Sequence, residues 1–116
     1  MGKPFFSVKD YSFFVYITTN PGKTVFYTGF TNNLSQRLVE HYMNRGSNKS
    51  FAGKYHCSNL LYYEVHQYVY NAMDREKEIK GWTRMKKLNL IKSENPNLIF
   101  LNSEIMEWPP IDPVHR

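Results

Sequence analysis

Apolar and polar positions alternate most clearly in two short runs, Phe13 to Thr18 and Val25 to Gly29, built mainly from aromatic and β-branched residues. Side chains of these types favour a pleated, half-buried surface, so both runs read as strands. The segment between them contains Asn20-Pro21-Gly22. Proline fixes one turn dihedral and Gly22 is expected to take a positive φ, which closes the runs into an antiparallel hairpin. Because alternate residues share a face, Tyr16 and Tyr27 are expected side by side, a polar pair on an otherwise apolar ribbon. Gly29 ends the second run where the backbone can turn out of a sheet.

Helical spacing takes over next. Leu34, Leu38 and Tyr42 fall at i, i+4 and i+8, the narrow stripe of a helix from Asn33 to Asn44 that Thr31, Asn32 or Asn33 can cap and Gly46 closes. Arg37 and His41 form a second stripe beside it. Arg45 to Lys54 reads as a polar loop with three cations, placed near the ligand, and Leu60 to Val65 as a third strand, apolar enough to be central. A helix capped by Asn71 and ending near Lys80 sets Ala72, Met73, Glu76 and Ile79 on one side, which embeds the Glu76 carboxylate among core-facing positions. Beyond Gly81, Trp82 to Ser93 reads as a basic helix anchored by Trp82, Met85, Leu88 and Ile91. Asn95-Pro96 ends it, and Leu98 to Leu101 is either an edge strand or a segment packed on the core. The order is β-β-α-β-α-α, an α+β domain over residues 12–101, between a lead-in at 1–11 and an irregular proline-containing tail at 102–116.

Composition adds a partner to this outline. A chain of 116 residues supports one core, and its charge of +5 suits a polyanion. Between Asn71 and Ser93 seven cations face three anions, so most of the net charge lies on the two later helices. The single cysteine, Cys57, excludes an intrachain disulfide and a thiolate zinc cluster. With no apolar run of membrane-spanning length, a soluble cytoplasmic protein is expected.

The polar set Tyr16, Tyr27, Arg37, His41 and Glu76 excludes several chemistries. No serine or cysteine occupies a nucleophile elbow, and neither GxxxxGK[ST] nor GxGxxG occurs. A guanidinium and a lone carboxylate on a basic chain suit phosphodiester hydrolysis, where positive charge must meet the phosphate oxygens. Glu76 with water suits one Mg²⁺ ion. Taken singly, each residue has a plain structural use: strand tyrosines, a solvated arginine, a Glu76–Lys80 pair at i+4.

In order and spacing, Val15-Tyr16-Ile17, Tyr27-Thr28-Gly29-Phe30-Thr31-Asn32-Asn33-Leu34, Arg37, His41, Ala72 with Glu76, Ile79-Lys80-Gly81-Trp82, Lys86-Lys87 and Asn95-Pro96 resemble the GIY-YIG nuclease superfamily, in particular its short standalone bacterial branch. Phe14 replaces the first glycine of that motif and Thr28 the second isoleucine. The resemblance implies a three-stranded antiparallel sheet flanked by helices, and a one-metal (Mg²⁺ or Mn²⁺) DNA endonuclease of repair or recombination. It implies Tyr16 as general base, Tyr27 as its orienting partner and His41 as helper. Arg37 would steady the scissile phosphate and Glu76 hold the metal. Lys80, Arg84, Lys86, Lys87 and Asn95 are expected along flanking nucleic acid, structured DNA or RNA, with room for a protein partner. The rival is a non-catalytic nucleic-acid-binding module on the same fold.

Overall fold

A computed structural model describes residues 12–110, so the lead-in at 1–11 and the end of the tail at 111–116 lie outside it. Three strands, β1 (Phe13–Thr19), β2 (Phe26–Thr31) and β3 (Asn59–His66), form one antiparallel sheet in the order β2-β1-β3. The central strand is therefore β1, whose last five residues are all buried, and β3 lies at an edge. This corrects the reading of the third strand as central. Its apolar character has a physical cause: chain from the later loop covers its outer side, where Leu101 N–H donates to Leu60 O at 2.8 Å and Asn95 Nδ2 to Leu61 O at 3.0 Å.

The hairpin turn is built differently from expectation. Lys23, not Gly22, takes the positive φ, at 59°. Asn20 holds that conformation, its Oδ1 accepting from the backbone N–H of Thr24 (2.8 Å) and Val25 (3.0 Å), a local side-chain bond typical of asparagine turns. Arg84 reaches the same turn and donates to the carbonyls of Thr24 and Lys23.

Helix α1 (Leu34–Met43) starts at Asn33, whose Oδ1 accepts from Gln36 N–H at 3.1 Å. It lays Leu34 and Leu38 on one sheet face, with Tyr16 and Leu60. The polar loop after it contains a short helix, α2 (Phe51–Lys54), capped by Ser50. Helix α3 (Val69–Lys80) begins two residues before Asn71, so Asn71 is inside it rather than its cap. With α4 (Arg84–Glu94), it covers the opposite face, where Ala72, Ile79 and Ile91 meet Val15, Ile17 and Tyr62. Met73 and Met85, expected in that seam, are exposed. Leu98 to Leu101 forms no strand. The tail is not irregular from its start: α5 (Asn102–Ile105) docks under α1, and the Asn102 amide bridges Leu60 N–H and Ser58 O. Among the described residues, no helix is long and apolar enough to cross a membrane.

Candidate active site

The strand register places Tyr16 opposite Gly29 and Tyr27 opposite Thr18, which puts both tyrosines on the α1 face. Their rings are 6.2 Å apart. Tyr16 is fully buried and Tyr27 half-buried. The ring of Tyr16 crosses the backbone of Gly29: a Cβ there would sit 2.5 Å from Tyr16 Cζ and would also strike its hydroxyl. The need for glycine at this position is therefore a close approach. Strand β2 does not leave the sheet there but runs on to Thr31.

Helix α1 closes over this pair. His41 Nε2 lies 2.8 Å from Tyr16 Oη, and its ring is 5.3 Å from that of Tyr27. Arg37, one turn earlier, acts on the Tyr16 hydroxyl and keeps Nε 3.1 Å from Glu40 Oε1, with the side chain 36% exposed. Four of the five predicted catalytic residues thus gather on one face of the sheet, with His41 hydrogen-bonded to the Tyr16 phenol.

The charges in this cluster are set mainly by burial. Burial, and then Tyr27, raise the Tyr16 pKa well above the usual phenol value, against the opposing pull of Arg37. Burial, and then Arg37, push His41 down to about 4. At neutral pH the phenol is protonated and the imidazole neutral, and the two share one hydrogen bond between Oη and Nε2. Arg37 pulls the Tyr16 phenol towards ionisation but is outweighed by burial, and His41 Nε2 stands within hydrogen-bond reach of the same oxygen.

Glu76 arrives from elsewhere. It lies on α3, across the sheet from Tyr16, and its carboxylate meets Lys80 Nζ at 2.7 Å, the plain i+4 pairing. Lys80 in turn lines a hollow of about 280 Å³ with Phe26, Tyr27, Thr28, Phe51 and Lys87. That hollow sits at the β2 edge, where side chains of both faces come together. Glu76 itself does not line the hollow, and no hydrogen bond joins it to the other four residues.

Among the flanking residues, two are committed elsewhere. Asn95 is buried and its amide is engaged by Leu61 O and by both backbone groups of Ile99, so it has nothing to offer a phosphate. Arg84 spends its terminal nitrogens on the hairpin turn and stacks 4.3 Å from the Phe26 ring. Lys80 and Lys87 line the hollow, and Lys86 lies 4.6 Å over Trp82. Arg75 is bound to Glu64 at 2.8 Å and to Glu78 at 3.1 Å, so it belongs to an ion-pair network rather than a free basic face.

Among the described residues, no three His, Cys, Asp or Glu side chains converge as a metal cluster. The donor set available to a divalent ion is the Glu76 carboxylate with water. It fits Mg²⁺, which takes one or two carboxylates and keeps several waters. Lys80 is 51% exposed, so its ammonium can withdraw at small cost.

Sequence reading missed the stacking of Tyr27 on Phe51 (6.2 Å) and the tilted contact of Phe51 with Tyr55 (4.7 Å). The signal was present in Ser50-Phe51-Ala52-Gly53, a cap followed by one aromatic and two small residues.

The described geometry agrees with a comparison against known families: the model of the GIY-YIG catalytic domain matches residues 12–89. The chain belongs to the GIY-YIG family, a class of nuclease-type domains. More narrowly, it is similar to UPF0213 proteins of Staphylococcus aureus strains Mu3 and N315, each 37% identical over 81 residues, covering 70% of this chain and 95% of theirs. The UPF0213 protein BH0048 from Bacillus halodurans, solved in solution by NMR, aligns with a TM-score of 0.47 and 22% identity over 74% of this chain and 88% of that one.

Proposed function

We propose that the protein is a metal-dependent endonuclease hydrolysing phosphodiester bonds in DNA. The observation that carries this reading is the clustering of Tyr27, Arg37 and His41 around Tyr16, with His41 hydrogen-bonded to its hydroxyl. Arg37, partly exposed at the rim, would hold a non-bridging oxygen of the scissile phosphate. Tyr27 is the phenol that faces solvent, and Tyr16 lies behind it. Water would give up one proton at this tyrosine pair, and His41 Nε2, 2.8 Å from Tyr16 Oη, would relay it onward to solvent. On this reading Tyr27, the more exposed phenol, would face the water and Tyr16 would serve the relay, the opposite order to that expected from sequence.

Glu76 would hold one Mg²⁺ or Mn²⁺ ion after Lys80 withdraws. When bound, such an ion supplies positive charge to the phosphate oxygens and the leaving group. Lys80, Lys86 and Lys87 would contact flanking phosphates, which position DNA without reading its sequence. We place the reaction in the cytoplasm, on intact or branched DNA.

The Glu76–Lys80 pair favours the second reading, a nucleic-acid-binding module whose carboxylate is neutralised by its own lysine. The test is incubation of purified protein with duplex, nicked, branched, single-stranded and RNA substrates in Mg²⁺ or Mn²⁺. Cleavage of any DNA member, suppressed by EDTA, is expected. Binding without cleavage of any member would establish the module instead.

A further inference from the structure

We infer that the hollow at the β2 edge is a nucleotide subsite, holding an unpaired nucleobase against Phe51 and the adjoining phosphate between Lys80 and Lys87. This rests on the nuclease reading and names what the site would grip beside the scissile bond.

The hollow, about 280 Å³, combines two surfaces of different chemistry. One is aromatic. Phe51 is 50% exposed although its ring lies at only 27° to that of Tyr27, and Tyr55, 40% exposed, continues the row. Solvent-facing rings in series offer π-faces on which any base can stack, and such platforms are sequence-tolerant. A base within a duplex has no free face to give them, so the occupant must be unpaired. The other surface is cationic. Lys80 and Lys87 stand close enough that Lys80, after burial, depresses the Lys87 pKa, and Lys80, which keeps one N–H on Glu76 (2.7 Å), has two more to share an anion with Lys87. Thr28 also lines the wall, and its buried hydroxyl has no hydrogen-bond partner.

The platform is also rigid. Ser50 caps α2 at Gly53 N–H (3.0 Å), and Ala52 and Gly53 are buried beneath Phe51. A Cβ at Gly53 would lie 2.8 Å from Asn44 O and 2.9 Å from Ser47 O, both backbone atoms. Phe51 is thus held out to solvent by elements that cannot shift to bury it.

The test measures binding without metal, in EDTA, of a fluorescein-labelled ten-thymidine strand and a duplex of the same length to wild type, Phe51→Ala and Phe51→Trp. Phe51→Ala is expected to weaken the single strand about five- to tenfold and leave the duplex unchanged, with Phe51→Trp restoring affinity. Unchanged circular dichroism would show that the exposed side chain is not needed for folding. Equal single-strand affinity of wild type and Phe51→Ala, or an equal loss for strand and duplex, would overturn the subsite alone. Failure of wild type to bind either nucleic acid would overturn the nuclease reading with it.

Discussion

A methyl group at position 29 would occupy the space of the Tyr16 ring, so Gly29→Ala must displace the phenol that the other site residues share. Overpacking of this kind costs about 1–3 kcal/mol. A urea titration should show that loss, and cleavage should fall with it because Tyr16 leaves His41. The neighbouring histidine carries a pH signature. Its pKa falls from 6.5 to about 4 in the fold, so the unfolded chain takes up the proton first as pH drops. Stability therefore declines between about pH 6.5 and pH 4 through this group. Thermal unfolding across that window should be less pH-dependent in His41→Gln than in wild type. An equal slope in the two proteins would show that His41 is not held neutral. The tyrosines, Arg37 and His41 were legible in the sequence because strand alternation and the i+4 helix repeat put them on predictable faces. Their protonation was not, since it depends on burial that no local pattern reports.

At the scale of elements, strand identities were legible and strand order was not. Apolar content marked β3 as well covered, but the cover comes from Asn95 and Leu101, more than thirty residues further along the chain, and not from a flanking strand. The same long-range contact assigns Asn95. Its amide makes hydrogen bonds to Leu61 and Ile99 in a buried setting, so Asn95→Ala should cost about 1–3 kcal/mol while DNA affinity stays unchanged. A folded Asn95→Ala variant with weakened DNA binding would restore the nucleic-acid role read from sequence. The α3 helix was placed correctly in outline, but Tyr68 rather than Asn71 caps it, without a side-chain hydrogen bond. There the tie of Arg75 to Glu64 outweighs the weak local cap preference.

For the whole molecule, the net charge of +5 had suggested one continuous basic face. The structure divides those cations by contact: Arg75 joins an ion-pair network, Arg84 holds the hairpin turn, Lys80 pairs with Glu76 beside Lys87, and Lys86 lies over Trp82; the proposed phosphate contacts fall to the three lysines. Each phosphate contact contributes about 0.9 to the slope of log affinity against log salt on duplex DNA. Lys86→Ala should therefore lower that slope by about one, whereas Arg84→Ala should leave it unchanged. The proposed reaction needs Glu76, on α3, to act together with the tyrosine cluster on the other face of the sheet. The measurement that tests it most directly compares single-turnover cleavage and DNA affinity of Glu76→Gln with wild type at saturating Mg²⁺. The account predicts cleavage reduced about a hundredfold or more, with affinity and fold retained. Cleavage by Glu76→Gln at the wild-type rate would contradict it, and Glu76 would then be only the partner of Lys80.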